Sequence, residues 1–192
     1  SFAAVLATAD VHRPLNPGAT TLLHSGVVYP SERDPTQLFA AMGRLASAGL
    51  LRSGKMRVGF PAPGHDELIR ALTAQHKLED VVEVLPPIPY FAALEEMVRA
   101  EGLLVMQAAN CNEQIPAKLY EYLRAGRPIM ALTDPVGDTA ALLRNAGLDT
   151  IARLDSASEI SECLTIFLGD IASHRARLPD ASFVARASRR EQ

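Results

Sequence analysis

The stretch from Gly102 to Leu132 restricts the fold more than any other part of this chain. A five-residue apolar run, Gly102-Leu-Leu-Val-Met106, is followed by a polar loop, Gln107 to Gln114. Next comes Ile115-Pro-Ala-Lys-Leu-Tyr-Glu-Tyr-Leu-Arg-Ala-Gly-Arg-Pro-Ile-Met-Ala-Leu132. Pro116 suits the first turn of a helix, where its missing N–H would be unpaired anyway. Gly126 closes that helix, and Arg127-Pro128 leads into the apolar run Ile129 to Leu132. The reading is strand, polar loop, helix, strand. The helix start then faces the edge of the sheet where open α/β folds bind ligands.

The same alternation runs along the rest of the chain. Thr21 to Val28, Met56 to Phe60 and Val81 to Leu85 read as buried strands from their β-branched and apolar content, and Thr150 to Leu154 as a sixth. Between them lie helices. One opens at Asp34-Pro35 and carries Leu38, Met42 and Leu45; another opens at Pro63 to Asp66; a third spans Phe91 to Arg99. Further helices begin at Asp138 and at Ser156 or Ser158, the last carrying Ile160, Cys163, Leu164 and Phe167. About six strands alternating with helices predict an α/β fold with a Rossmann-like, doubly wound parallel sheet. Residues 1–19, with Pro14, Asn16, Pro17 and Gly18, read as a linker or hinge, residues 20–170 as the sheet domain, and 171–192 as a helical tail. The start at Ser1 in an apolar segment, and the end at Gln192 without a helix stop signal, lead us to expect a piece of something longer.

Bulk properties and failed motifs remove several function classes. With 48% hydrophobic residues among 192, a core is affordable, yet no apolar run approaches the ~18 residues of a membrane helix. A net charge of −3 argues against nucleic acid as the main partner. Cys111 and Cys163 have no C-x-x-C spacing and read as free thiols, which points to a reducing cytoplasm. Arg175, Arg177, Arg186, Arg189 and Arg190 read as a solvated helix face, with an acidic lipid or partner surface as the alternative. Gly49-x4-Gly54-Lys55 imitates a phosphate loop, but Met56 stands where Ser or Thr should hold magnesium, and the motif precedes a strand. G-x-G-x-x-G, Asp-x-Asp, His-Glu-x-x-His and Gly-x-Ser-x-Gly are absent. His12, His24, His65, His76 and His174 stand at no ligand spacing, so no metal is expected; His24 reads as a buried, hydrogen-bonded histidine.

One constellation carries chemistry. Glu113 lies in the loop before the Pro116 helix, and Glu121 in its second turn. A carboxylate accepts two hydrogen bonds at once, so Glu121 suits both hydroxyls of a ribose. Amides around Gln114 and Ile115, at the positive end of the helix, suit a diphosphate. Glu113 then faces whatever that diphosphate carries. The alternative is a capping Glu113 and a Glu121 on a wet helix face. Lys118 adds a cation near the phosphates, or pairs with a neighbouring acid.

Glu113-x7-Glu121, set in Ile-Pro-Ala-Lys-Leu-Tyr-Glu-Tyr-Leu-Arg-Ala-Gly-Arg-Pro-Ile, resembles the donor-site signature of GT-B glycosyltransferases, nearest to the retaining branch of surface polysaccharide synthesis. His24 to Pro35, Val84 to Pro89 and Pro135 to Leu143 extend the resemblance over roughly residues 20 to 170. It implies that the chain is the C-terminal, nucleotide-sugar half of a two-domain enzyme, whose N-terminal acceptor-binding half is missing. It also implies metal-independent transfer of a sugar from a nucleoside diphosphate sugar, such as a UDP-sugar, to an acceptor hydroxyl with retention. By this resemblance Glu121 takes the ribose and Glu113 the donor sugar. Gln114 and Ile115 offer amides, Arg33 a cation for the diphosphate, and the Ile88 backbone pairs with the base. Gly26 alone stands where the family usually has a double glycine, Pro86 replaces a common glycine, and a second cation beside Arg33 is not obvious. No cofactor beyond the donor is implied. A cytoplasmic enzyme, peripheral at the inner membrane face, and a homodimer are both compatible. The alternatives are a non-catalytic nucleotide-binding or assembly domain of the same fold, and a GT-B-type nucleotide-sugar epimerase.

Overall fold

The computed structural model describes residues 2–52 and 54–190; Ser1, Ser53, Glu191, Gln192 and the side chains of Arg189 and Arg190 lie outside the described residues. Six strands form one parallel sheet: β1 (Thr20–Leu23), β2 (Met56–Pro61), β3 (Val82–Leu85), β4 (Gly102–Met106), β5 (Ile129–Leu132) and β6 (Ile151–Ala152). Their order across the sheet is β3-β2-β1-β4-β5-β6. Eight α-helices and one 3-10 turn (Ala109–Cys111) accompany them among the described residues: α1 (Phe2–Thr8), α2 (Thr36–Ser47), α3 (Asp66–Gln75), α4 (Tyr90–Arg99), α5 (Ala117–Ala125), α6 (Asp138–Asn145), α7 (Ala157–Ala172) and α8 (Ala181–Arg190). The architecture is an α/β, Rossmann-like sheet with helices on both faces.

Period-2 alternation in the strands explains the two helical layers. Leu22, Leu104, Met106, Met130 and Leu132 point into one core with α2, α3 and α7 residues such as Phe39, Ile69 and Phe167. Their neighbours Leu23, Leu103, Val105, Ile129 and Ala131 point into the other, against Leu94, Leu119, Leu123 and Leu143 of α4, α5 and α6. Strands buried on both faces read as continuous apolar runs, which is why β4 and β5 were legible. At the start of β4 a side chain has no room. A Cβ on Gly102 would come within 2.7 Å of Leu22 and 2.9 Å of Phe167, and such overpacking costs about 1–3 kcal/mol.

Three boundaries differ from the sequence reading. β1 ends at Leu23, not Val28. The His24 N–H still bonds to Gly59 O (3.0 Å), but the Ser25 N–H turns to the Tyr122 hydroxyl at 2.7 Å. β6 holds two residues, not five. The expected linker opens with a helix, α1, whose Val5 is buried and which packs on α4. The tail holds α8, where Phe183 and Val184 pack against the second core. The Gly49–Lys55 motif connects α2 to β2 around Ser53, which is not described.

Candidate functional site

In a sheet of this order the strands diverge to opposite sides at β1 and β4, and the crevice above their C-terminal ends is the ligand position of such folds. Two loops meet there, Ser25–Pro35 after β1 and Gln107–Pro116 after β4. They are fastened together, since the Ala108 N–H donates to Glu32 O at 2.7 Å and Asn110 Nδ2 to Ser31 O at 3.0 Å.

Gln107 shapes the second loop. It is the first residue after β4 and is buried. Its Nε2 donates to Cys111 O (3.0 Å) and Gln114 O (2.7 Å), while its Oε1 accepts from the Thr139 hydroxyl. Asn112 continues the scaffold by donating to Asp134 Oδ2 at 2.7 Å. That bond, with the Val136 amide, holds the Asp134 carboxyl below its ordinary range. The loop then delivers the start of α5 to the crevice.

At that start Pro116 precedes the first helical residue and no side chain caps it. The Gln114 N–H, expected to be open, donates to Cys111 O at 2.9 Å. The amides of Ile115, Ala117 and Lys118 have no backbone acceptor among the described residues. The open donors thus begin one residue later than the sequence suggested. Helix starts of this kind attract anions through these donors and the macrodipole.

Arg33 faces the same place. Its Nη1 donates to Val27 O at 2.6 Å, and its guanidinium carbon stands 5.7 Å from the centre of the Tyr29 ring. It lines two small adjoining cavities of about 30 and 50 Å³. The first also touches Ser25, Gly26, Lys118 and Tyr122. The second touches Gln114 and Ile115. Neither is large enough to enclose a nucleotide, so a ligand of that size would lie across their mouths, the surface we call the groove.

Glu121 lies farther along α5, with its side chain 22% exposed. Oε2 accepts from Lys118 Nζ at 2.6 Å, and Oε1 from the Tyr90 hydroxyl at 3.2 Å. Lys118 is therefore paired with the acid one turn away. Ile88 sits half-buried in the loop before α4, next to the exposed Tyr90 and Phe91, whose rings meet at 5.7 Å. Glu113 is exposed and makes no hydrogen bond or ion pair among the described residues. Arg33, Gly26, Ile115 and Lys118 are thus brought together around the two cavities, Lys118 bonds Glu121 and Tyr90 bonds Glu121 in turn, while Glu113 lines neither cavity.

Residue-type reasoning missed Gln107, Tyr122 and Tyr90. Tyr122 stands at an apolar helical position with Leu119 and Leu123, so it read as core. It is fully buried, and burial pushes its hydroxyl up. Gln107 had one signal, a polar residue directly after an apolar strand.

A larger cleft of about 510 Å³ opens on the far side of the Gln107–Gln114 loop. Asp34, Asp134 and Asp155 line it, and its Arg153 is held by Asp155 at 3.0 and 3.1 Å. That surplus of carboxylates repels a diphosphate, so the smaller groove suits one better.

No family model and no curated protein match the chain in sequence. Solved structures do match it. Sucrose-phosphate synthase from Thermosynechococcus elongatus superposes with a TM-score of 0.62 at 15% identity, over 97% of this chain and 43% of that one. WaaG, a glycosyltransferase involved in lipopolysaccharide biosynthesis, gives 0.61 at 19% over 89% and 42%. The lipopolysaccharide outer core galactosyltransferase WaaB gives 0.61 at 13% over 93% and 47%. The fold is thus that of one half of a GT-B glycosyltransferase, and the chain spans less than half the length of these three structures. Among the described residues no helix is long and apolar enough to cross a membrane.

Proposed function

We propose that this chain is the nucleotide-sugar-binding half of a retaining GT-B glycosyltransferase. It would transfer a sugar from a nucleoside diphosphate sugar to an acceptor hydroxyl in cell-surface polysaccharide synthesis, on the cytoplasmic face of the membrane. One observation carries this reading: Arg33 and the start of α5 line two adjoining cavities above β1 and β4, and Lys118 from that start bonds Glu121. The diphosphate would rest on the Ile115, Ala117 and Lys118 amides and Arg33. Glu121 would take the ribose hydroxyls. Each of its oxygens has two acceptor positions, so it can keep Lys118 and Tyr90 while doing so. Ile88 would meet the base and Glu113 the hydroxyls of the transferred sugar.

The chemical demand is the negative charge that grows on the departing diphosphate. Fixed amides and Arg33 meet it without a metal ion, and one preorganised donor of this kind contributes ~3 kcal/mol. The acceptor and the group that positions it belong to the other half of the enzyme.

Thermal unfolding of this chain with millimolar UDP, GDP and ADP, beside Glu121→Ala, tests the proposal. A nucleotide at ten times its Kd stabilises by about 1.4 kcal/mol, a shift of a few degrees. We expect that shift with one nucleotide and its loss in Glu121→Ala. A melting temperature indifferent to all three nucleotides overturns the reading.

A further inference from the structure

His24 is the buried titratable group that the proposed chemistry leaves unused. It follows β1 directly, and 5% of its surface is exposed. Its Nδ1 lies 3.0 Å from Leu104 O. A carbonyl oxygen only accepts, so Nδ1 carries the proton and Nε2 carries a lone pair. Burial, opposed by the Leu104 bond and helped by Arg33, brings the ring down to about 4. The ring is therefore uncharged at neutral pH. Nε2 is buried without a hydrogen-bond partner. Unmet buried acceptors are uncommon in native structures, and each one calls for a partner or a use.

The surroundings supply the use. His24 lines the cavity of about 30 Å³ at the floor of the donor groove, with Ser25, Gly26, Arg33, Lys118 and Tyr122. That space admits one water-sized group. Gly26 leaves the approach open: a Cβ there would stand 3.9 Å from Nε2 and meet nothing else within 4 Å.

We infer that His24 Nε2 is a built-in hydrogen-bond acceptor of the groove and that it receives an O–H of the transferred sugar. The inference rests on the nucleotide-sugar reading above. A lone pair takes only a group that has a proton to give. A diphosphate has none to give at neutral pH, both ribose hydroxyls are assigned to Glu121, and the base to the Ile88 backbone. The sugar carries several hydroxyls, more than the Glu113 carboxylate can take, so one of them remains. His24 then rewards a hydroxyl at one position of the sugar, which is a specificity role and involves no bond breaking.

The test is nitrogen NMR of the chain labelled at its histidine rings, with the His24 signal assigned by its loss in His24→Gln. The probes are UDP and GDP, then UDP-glucose, UDP-N-acetylglucosamine and GDP-mannose, with melting temperatures recorded in parallel. We expect Nε2 to move from the lone-pair range toward the hydrogen-bonded range with a nucleotide sugar and to stay in place with the bare nucleotide. Gly26→Ala, which leaves His24 intact, should weaken the nucleotide sugar about fivefold to tenfold more than the bare nucleotide, the worth of one hydrogen bond. A nucleotide sugar that raises the melting temperature through Glu121 but leaves Nε2 unmoved overturns this inference alone. So does an equal movement with bare nucleotide, which marks a ribose hydroxyl, or a signal already hydrogen-bonded in the free chain, which marks a resident water. No melting shift with any probe overturns the nucleotide-sugar reading and this inference with it.

Discussion

Helices α5 and α7 both begin at the edge where the parallel strands end, yet their starts are finished in opposite ways. At α7 the Ser156 hydroxyl accepts the Glu159 N–H at 3.2 Å and the Ser156 carbonyl accepts the Ile160 N–H at 3.0 Å. Glu159 reaches back to the Arg153 N–H at 3.0 Å. The chain meets its own needs there. At α5 a proline stands in the cap position, no side chain closes the end, and three successive amides after Gln114, apart from the proline, lack a backbone acceptor among the described residues. A helix end satisfied by its own residues serves the fold. One left open, beside Arg33 and at the divergence of β1 and β4, is where we propose that an anion from outside binds.

The largest expected effect comes from the α5 side, through the burial of His24. Its folded value of about 4 lies below the ordinary 6.5. Above 6.5 both folded and unfolded rings are neutral, and the stability is fully present. As the pH falls from 6.5 toward 4, the unfolded ring takes a proton that the folded ring refuses, and stability is lost. At 1.36 kcal/mol per pH unit this amounts to about 3 kcal/mol. Urea unfolding across that window should show the loss in the parent chain and a flatter profile in His24→Gln. Identical slopes would mean that the ring is not held neutral beneath the groove.

A second, smaller effect should follow from Tyr122→Phe. It removes the acceptor of the buried Ser25 N–H, bonded at 2.7 Å, and leaves that donor unmet at a cost of about 2 kcal/mol. Because this bond ties the end of β1 to α5, the variant should also lose part of the nucleotide-induced melting shift. A variant that is destabilised but binds nucleotide as before would show that the tie serves the fold only.

Much of this was visible in the residues themselves. β4, β5, α5 and α6 fell where apolar runs, Pro116, Gly126 and Asp138 put them, because strands buried on both faces and helices with a glycine stop announce themselves locally. Gly126 indeed adopts a φ of 66°. The end of β1 was not visible, since Ser25 leaves the sheet for a hydroxyl 97 positions away. α1 was missed because Phe2 to Ala9 is apolar almost throughout, with no polar face to mark a helical period; it packs on α4. At the groove, Arg33, Gly26, Ile115, Lys118 and Glu121 were named from the sequence; the first four line two adjoining cavities and Lys118 bonds Glu121, which is the arrangement the proposed donor reading rests on. Side chains that act across the fold, such as Gln107 holding Cys111, Gln114 and Thr139, carry no local pattern that would single them out.

The smallest effect is the one that separates the two helix starts most cleanly. Ser156→Ala removes the side-chain cap of α7, and losing such a cap costs about 1 kcal/mol. The Glu159 N–H is at an exposed site, so water replaces part of the lost bond and the cost should not exceed that figure. α7 packs on α2 and contributes Ile160, Leu164 and Phe167 to the core on the side of the sheet away from α5. The melting temperature should therefore fall by several degrees at most, while the shift produced by nucleotide stays at its full size. A cap that mattered to the groove would reduce that shift as well, and the division between a closed, structural helix end and an open, ligand-facing one would fail.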